Sequence, residues 1–320
     1  MALHPVIQQA LAAAEGMPTY DQLTPAQARA QARRAYPPRT QPVPVAALQD
    51  RSIPGPAGAM AVRIYTPAGA GPHPVVVFFH GSGFVLLDLD THDDLCRRLC
   101  SGAGAIVVSV DYRLAPEHPF PAAPDDCLAA TCWVAHHAAA LGGDPARIAV
   151  AGDSAGGCLA AVTALRIRDE GGPALCGQLL WYPVTDYPSV AGDSYRAYGA
   201  GYGLTEAGMR WFWQQYLPDA SLAGHALVSP LRMDTPAGLP AACVLVPEFD
   251  VLRDEGEAYA DRLSRGGVAA CTRRYRGMNH GFLKYAGMLE AADAAIADAC
   301  QWLRERFATK STCQTTEGAC

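Results

Sequence analysis

Gly152-Asp153-Ser154-Ala155-Gly156-Gly157 is the stretch around which the rest of the chain is organised. The apolar run Ile148 to Ala151 before it is typical of a buried strand, and the apolar-periodic segment Cys158 to Arg168 after it predicts a helix. Gly-x-Ser-x-Gly between a strand and a helix is typical of a nucleophile elbow, a sharp turn that exposes a serine hydroxyl above a sheet. Side chains in place of the two glycines would crowd this turn. The alternative is a strand-to-helix turn without chemistry, and other residues must decide between the two.

The composition favours one large domain with a substantial core, since 50% of the 320 residues are hydrophobic. The formal net charge is -6, and the 25 basic residues form no basic run. A protein that binds nucleic acid usually carries such a basic patch. We therefore expect no nucleic-acid partner and no polyanionic substrate.

The N-terminus and the cysteines indicate a cytoplasmic location. Met1 to Glu15 lacks the basic and continuously apolar parts of a signal peptide, and no apolar run reaches the roughly 18 residues of a membrane helix. Eleven cysteines are scattered without a Cys-x-x-Cys motif. Cys96 and Cys100 lie one helical turn apart, and we interpret them as small apolar residues in a reduced protein rather than as metal ligands. We expect neither a membrane partner nor a metal.

Helices, a hairpin and then an alternation of strands and helices follow one another along the chain. The sequence predicts helices over Pro5 to Glu15 and Thr24 to Tyr36, and a hairpin of Val45 to Ile53 with Met60 to Thr66. Buried strands then alternate with helices, which predicts an α/β fold whose mostly parallel central sheet has helices on both faces. The predicted strands are Val75 to Phe79, Ile106 to Val110, Ile148 to Ala151, Gln178 to Tyr182, Cys243 to Pro247 and Ala269 to Tyr275.

One connection is too long for a simple crossover, because about 60 residues separate Tyr182 from the strand that begins at Cys243. It contains a predicted helix, Thr205 to Leu217, with a face of aromatic and apolar side chains. We interpret these side chains as packing within a cap over the sheet, with a substrate-contacting wall as the alternative. The predicted organisation is N-terminal helices at 1–44 that contribute to the cap, a catalytic domain at 45–307 with the cap insertion at about 185–235, and a disordered tail at 308–320.

A serine nucleophile needs an imidazole base and usually a carboxylate that orients it. Only His225 and His280 follow Ser154 in the chain, and His280 comes soon after the final predicted strand, where a loop at the carboxyl edge of the sheet delivers it. Asp250 follows the preceding strand in the same way. Glu248 and Asp254 are competing carboxylates. We predict Ser154 as nucleophile, His280 as base and Asp250 as acid.

A third motif, His80-Gly81-Ser82-Gly83-Phe84, follows the strand Val75 to Phe79. Its small residues leave backbone amides open toward a site, and together with Ala155 they are candidates for an oxyanion hole. The alternative is a tight strand-to-helix connection.

These motifs, with Asp111-Tyr-Arg-Leu-Ala-Pro-Glu-His118, Asp250-Val-Leu-Arg-Asp254-Glu255 and His280-Gly-Phe, resemble the bacterial hormone-sensitive-lipase-like carboxylesterases of the α/β-hydrolase fold. The resemblance spans roughly residues 40 to 305. It implies a cofactor-free esterase with a helical cap that hydrolyses small esters of short to medium acyl chains, and it leaves a homodimer open. It implies oxyanion donors at the amides of Ser82, Gly83 and Ala155, and a loop-shaping role for His80. Asp111, Arg113 and Glu117 would brace the segment beneath the site.

Two positions depart from the family pattern, and two other functions stay open. Ser82 replaces the middle glycine of His-Gly-Gly-Gly, which would strain the backbone if this position needed a positive φ. Val251 stands where proline commonly follows the acid. The same triad would also serve an amidase or peptidase, and a ligand-binding receptor similar to this family would lack the catalytic histidine, whereas His280 is present.

Overall fold

A single sheet of eight strands forms the centre of the protein in the computed structural model, which describes residues 2–187 and 192–309. In chain order the strands are β1 (Ala47–Gly55), β2 (Gly58–Thr66), β3 (His73–Phe79), β4 (Ile106–Val110), β5 (Gly143–Asp153), β6 (Gly177–Trp181), β7 (Ala242–Phe249) and β8 (Ala270–Asn279). Their spatial order is β1-β2-β4-β3-β5-β6-β7-β8. The hairpin β1-β2 is antiparallel and joins β4 antiparallel, and strands β3 to β8 are mutually parallel. The predicted mostly parallel sheet is confirmed.

The α-helices cover both faces of this sheet. They are α1 (Pro5–Ala13), α2 (Pro25–Arg34), α3 (Asp93–Ala103), α4 (Ala122–His137), α5 (Ala155–Glu170), α6 (Asp193–Tyr198), α7 (Glu206–Tyr216), α8 (Arg253–Arg265) and α9 (Glu290–Ala308). Short 3₁₀ helices occupy Tyr20–Gln22, Ala139–Leu141, Ala220–Gly224, Pro230–Arg232 and Phe282–Tyr285. Within residues 2–187 and 192–309, no helix combines the length and apolar character needed to cross a membrane.

The buried strands carry apolar side chains on both faces, which is why they read as continuous apolar runs. On one face Val77 of β3 packs in a cluster with side chains of α4, α5 and α8. On the other, the neighbouring Val76 belongs to a cluster with Leu99 of α3 and Leu303 of α9. This two-sided burial holds the strands in register, for example Val77 opposite Val108 of β4 and Val150 of β5.

The helix ends agree with the chemistry of the sequence. The Thr24 hydroxyl accepts the Gln27 amide hydrogen as the N-cap of α2, with Pro25 in the first turn. The Thr205 hydroxyl caps α7 in the same way by accepting the Gly208 amide hydrogen. α4 begins at Ala122 and includes Pro124, because the first turn of a helix tolerates proline. α6 was not predicted, since its six residues are too short to show an apolar period.

Two predicted segments fall partly outside the described residues. Of the tail predicted at 308–320, Ala308 ends α9 and residues 310–320 lie outside the described residues. Residues 188–191 of the predicted insertion also lie outside them.

Candidate active site

Ser154 lies at the turn between β5 and α5, with φ 55° and ψ −121°. A positive φ is costly for a residue with a side chain, so the surroundings must enforce it. The two flanking glycines make the turn fit: a Cβ on Gly156 would overlap the Phe79 carbonyl, and a Cβ on Gly152 would overlap the Gly156 carbonyl. The glycine spacing of the motif is therefore required by backbone contacts, and the turn projects Ser154 at the carboxyl edge of the sheet.

The loops after β7 and β8 bring Asp250 and His280 to the same edge. His280 Nε2 lies 2.9 Å from Ser154 Oγ, and His280 Nδ1 lies 2.8 Å from Asp250 Oδ2. Asp250 is buried, and its other oxygen, Oδ1, accepts the Leu252 amide hydrogen at 3.0 Å. Such a chain of hydrogen bonds fixes the proton of the imidazole on Nδ1 and leaves Nε2 free to accept the serine proton.

The competing residues of the sequence have other partners. Glu248 accepts the Gly277 amide hydrogen at 2.8 Å, and Asp254 accepts the Ser194 amide hydrogen at 2.7 Å. His225 Nδ1 accepts the Leu227 amide hydrogen. Of these side chains and Asp250, the structure brings only Asp250 into contact with His280.

In the loop that follows β3, the positive φ falls on Gly83 and Phe84 rather than on Ser82. Ser82 therefore causes no left-handed strain, which answers the concern raised by its replacement of glycine. A Cβ on Gly83 would overlap the Phe212 ring, so glycine is needed there for two reasons. The Gly81 amide donates its hydrogen to Asp153 Oδ1 at 2.7 Å. Gly81 was a candidate oxyanion residue, and this bond occupies its amide hydrogen.

The Ser82 hydroxyl belongs to a buried hydrogen-bond chain. It accepts the Phe84 amide hydrogen at 2.8 Å and lies 2.6 Å from the Tyr112 hydroxyl, which donates to the His80 carbonyl at 2.6 Å. Since the Tyr112 hydroxyl donates its single hydrogen to the His80 carbonyl, the Ser82 hydroxyl must be the donor in its bond to Tyr112. The Ser82 hydroxyl thus supports the conformation of the loop itself.

His80 is fully buried beneath this loop, stacked on Tyr112 with ring centroids 4.5 Å apart and 5.5 Å from His92. Burial, with the nearby His92, lowers the pKa of His80 to about 3, so the ring is neutral. Its Nδ1 lies 3.4 Å from the Gly81 carbonyl. These contacts suit the expected loop-shaping role.

Asp153 connects the Ser154 turn to the loop that follows β3. Its Oδ1 accepts from Gly81 and lies 3.3 Å from His92 Nε2. Burial opposes ionisation of this carboxyl, yet His92 and the Gly81 amide together hold its pKa below the ordinary value. Neither Asp153 nor His92 was predicted as a site residue, although Asp153 lies within the Gly152 to Gly157 motif, which was a usable signal.

Tyr182 is a further residue that sequence reasoning missed. It follows β6 directly, has φ 38°, and its ring centroid lies 4.8 Å from that of His280. With Asp153 it borders a cavity of about 730 Å³ whose other walls include Tyr36 and Lys284. The signal in the sequence was its place at the carboxyl end of the predicted strand Gln178 to Tyr182, the edge where the candidate triad residues also lie.

The segment predicted to brace the site is held by two ion pairs. Arg113 makes a bidentate contact with Asp126 of α4 at 2.8 Å. Glu117 binds Arg29 of α2. The Arg29 guanidinium also donates to the Val85 carbonyl, next to the Ser82 loop, as we call residues His80 to Phe84. Asp111 pairs through its backbone amide with the Ala61 carbonyl. Arg113 and Glu117 therefore fit the bracing role.

The aromatic face of α7 lies directly on the Ser82 loop. The Tyr216 ring stacks on Phe84 with centroids 3.8 Å apart, and Phe212 covers Gly83. Tyr20, from the N-terminal segment, packs on Phe212 at 5.4 Å. The insertion and the N-terminal residues thus meet above the same loop.

The chain is similar to known proteins over most of its length. A family model described as the alpha/beta hydrolase fold matches residues 76–284. Esterase LipI of Mycobacterium tuberculosis is 46% identical over 266 residues, which cover 80% of this chain and 81% of that protein. Carboxylesterase NlhH of the same species is 45% identical over 243 residues, covering 73% and 74% respectively.

Among solved structures, a thermostable esterase from Pseudomonas putida ECU1011 has a TM-score of 0.92 at 40% identity, covering 96% of this chain and 98% of that one. The resemblance seen in the motifs is therefore confirmed over most of the chain. The chain belongs to the α/β-hydrolase fold family and, within it, to the hormone-sensitive-lipase-like carboxylesterases.

Proposed function

We propose that the protein is a serine carboxylesterase that hydrolyses small esters of short to medium acyl chains. The observation that carries the proposal is the hydrogen-bond chain from Asp250 through His280 to Ser154. His280 Nε2 takes the Ser154 proton as Oγ attacks the ester carbonyl, and the imidazolium then protonates the leaving alkoxide. Water activated by the same imidazole releases the acid from the acyl-enzyme. Asp250 orients His280 and stabilises its charged form.

We assign the oxyanion hole to the backbone amides of Ser82, Gly83 and Ala155. Ala155 begins α5, and the amides of a first helical turn have no acceptor within the helix. The positive φ of Gly83 turns the loop beside Ser154, while the Asp153 bond uses the Gly81 amide. Preorganised donors of this kind are each worth about 10²-fold or more in rate.

Replacing Ser82 with glycine should lower kcat roughly 2- to 12-fold, because a net hydrogen bond contributes about 0.5–1.5 kcal/mol. We expect KM and acyl preference to stay the same, since the hydroxyl points to Tyr112. Steady-state kinetics of S82G, Y112F and the double variant test this. The double variant should lose less than the product of the two single effects. A changed acyl preference with unchanged kcat would instead place the hydroxyl in the substrate pocket.

An amidase or peptidase using the same triad is the alternative reaction. We expect a p-nitrophenyl ester to be hydrolysed at least about 10²-fold faster than the anilide of the same acid, in terms of kcat/KM, since an anilide nitrogen is the poorer leaving group and needs more help from His280. Parallel assays with matched acyl groups measure the ratio. Faster cleavage of the anilide would overturn the esterase assignment.

We further propose that residues 1–44 and the insertion at about 185–235 form a cap over the catalytic domain at 45–307. The contacts of Phe212 and Tyr216 with the Ser82 loop, and that of Tyr20 with Phe212, support it. The bond between Arg29 of α2 and the Val85 carbonyl supports it as well.

A covered site of this kind should prefer short acyl chains. In a series of p-nitrophenyl esters from C2 to C16, we expect kcat/KM to peak at or below about C8 and to fall at least tenfold by C16, since a cap limits the length that can be buried. Activity that keeps rising to C16 would indicate a lipase with an open groove.

We propose a cytoplasmic location, supported by the eight cysteines that carry free thiols within residues 2–187 and 192–309, where Cys132 alone is disulfide-bonded. A homodimer stays a prediction, and light scattering during size-exclusion chromatography measures it.

A further inference from the structure

Two cysteines face each other across the last two strands of the sheet. Cys243 of β7 is the register partner of Cys271 of β8, and the strands run parallel. Neighbouring strands lie about 4.7–4.9 Å apart, which is within the roughly 4.4–6.8 Å that disulfides span between Cα atoms. Leu245 and Tyr275 follow the two cysteines by two and four residues, and both lie in the core cluster of α3 and α9. Because side chains alternate along a strand, both thiols project to that same face.

The two thiols differ in access. Both are free, but Cys243 is only 3% exposed, whereas Cys271 lies exposed on β8 at the edge of the sheet. A reagent in solution can therefore reach Cys271 first. Cys243 can react only with something that Cys271 already carries.

The surroundings activate the exposed thiol. A hydrogen bond from Cys243 lowers the pKa of Cys271 to about 7, burial opposes this shift, and the positive charge of Arg306 adds to it. The negative charge of Glu305 opposes the shift, as burial does. Thiols whose pKa lies near the ambient pH are the most effective attackers in thiol–disulfide exchange.

We propose that Cys271 and Cys243 form a modification site for low-molecular-weight disulfides. The Cys271 thiolate attacks one sulfur of the small disulfide, which forms a mixed disulfide and releases one small thiolate. Cys243 then transfers its proton to the first small thiolate and attacks the Cys271 sulfur, which expels the second small thiolate. The products are one disulfide between β7 and β8, one small thiol and one small thiolate, which takes a proton from water. The two electrons of the protein thiols pass to the reagent.

The site is independent of the proposed hydrolase chemistry. The cysteines lie near the amino ends of the strands, and Asp250 and His280 follow the carboxyl ends of the same strands. The disulfide would tie together the two strands that deliver the acid and the base. A mass measurement detects it without any assay of ester hydrolysis, so the two proposals fail separately.

The test treats the pre-reduced full chain with oxidised glutathione at pH 8, then blocks remaining thiols and digests with trypsin. The sequence places each cysteine alone in its own tryptic peptide, 233–253 for Cys243 and 266–273 for Cys271. In the protein without substitutions, we expect the treatment to join these two peptides by a disulfide. C243S should stop at a glutathione adduct on Cys271, and C271S should leave Cys243 unmodified. C176S, which removes another partly buried thiol, should react like the unmodified protein.

The rate of the first step provides a second measurement. It should rise with pH and reach half its maximum near pH 7, compared with about pH 8.5 for an ordinary thiol. Absence of the linked peptides, or an adduct on Cys243 in C271S, would overturn the proposal. A half-maximum above pH 8 would overturn the activation of Cys271 by its neighbours.

Discussion

Replacement of Ser154 with alanine should lower kcat by about 10⁴- to 10⁶-fold, because the variant retains the oxyanion donors and the binding site but has no nucleophile. The alanine fits the elbow, since it keeps the Cβ that the φ of 55° already accommodates. We therefore expect an unchanged unfolding temperature. Initial rates with p-nitrophenyl acetate or butyrate measure the loss.

The matched variant H280A should lose a similar factor, and the double variant should lose little more than either, because the two groups act as one unit. Mass spectrometry after phenylmethylsulfonyl fluoride should show one covalent adduct on Ser154 in the unmodified protein and none in S154A. Retention of full activity by S154A would refute the assignment of the nucleophile.

Replacement of Asp250 with asparagine should lower kcat by about 10⁴-fold. The Leu252 amide donates to Asp250 Oδ1, so the asparagine oxygen will take that position and its NH₂ group will face His280 Nδ1. That NH₂ group is a donor, which forces the imidazole proton onto Nε2. Nε2 then cannot accept the proton of Ser154, although the geometry is kept. The kcat of D250N on the same esters measures the effect.

Glu248 supplies the matched control, since it lies at the end of the same strand and was a competing acid in the sequence. Its carboxylate binds the Gly277 amide, and glutamine keeps an acceptor there. E248Q should therefore stay within about twofold of the unmodified kcat. A large loss in E248Q with little loss in D250N would exchange the roles of the two residues.

The sequence predicted the fold well because parallel strands buried on both faces leave long apolar runs, and the loops at their carboxyl ends meet at one edge. This topology alone was enough to bring Ser154, Asp250 and His280 together from positions far apart in the chain. The hydrogen-bond partners within the loop after β3 could not be predicted from the sequence. Whether the Gly81 amide faces a substrate or Asp153 depends on one side-chain rotamer, and sequence pattern does not report rotamers.

The same limit applied to Ser82 and to the cap. Whether Ser82 is strained depends on which residue of the loop has the positive φ. The structure places it at Gly83, and the sequence pattern did not show which of the two residues would have it. The aromatic face of α7 was evident from its period. Its partner was not, because an apolar face specifies burial but not the surface that covers it.

The carboxylate of Asp153 has a consequence for how accurately the site is built. Asp153 is bonded through the backbone to the predicted nucleophile, and through Gly81 it holds the loop that carries two of the proposed oxyanion donors. The distance between Ser154 Oγ and the oxyanion amides is therefore fixed by Asp153 and its hydrogen bond to Gly81, rather than by the packing of the whole sheet. If β3 shifts against β5, the Ser154 hydroxyl and the oxyanion amides will tend to move together. The alignment needed for attack is therefore more sensitive to loss of the Gly81–Asp153 hydrogen bond than to distortion of the sheet.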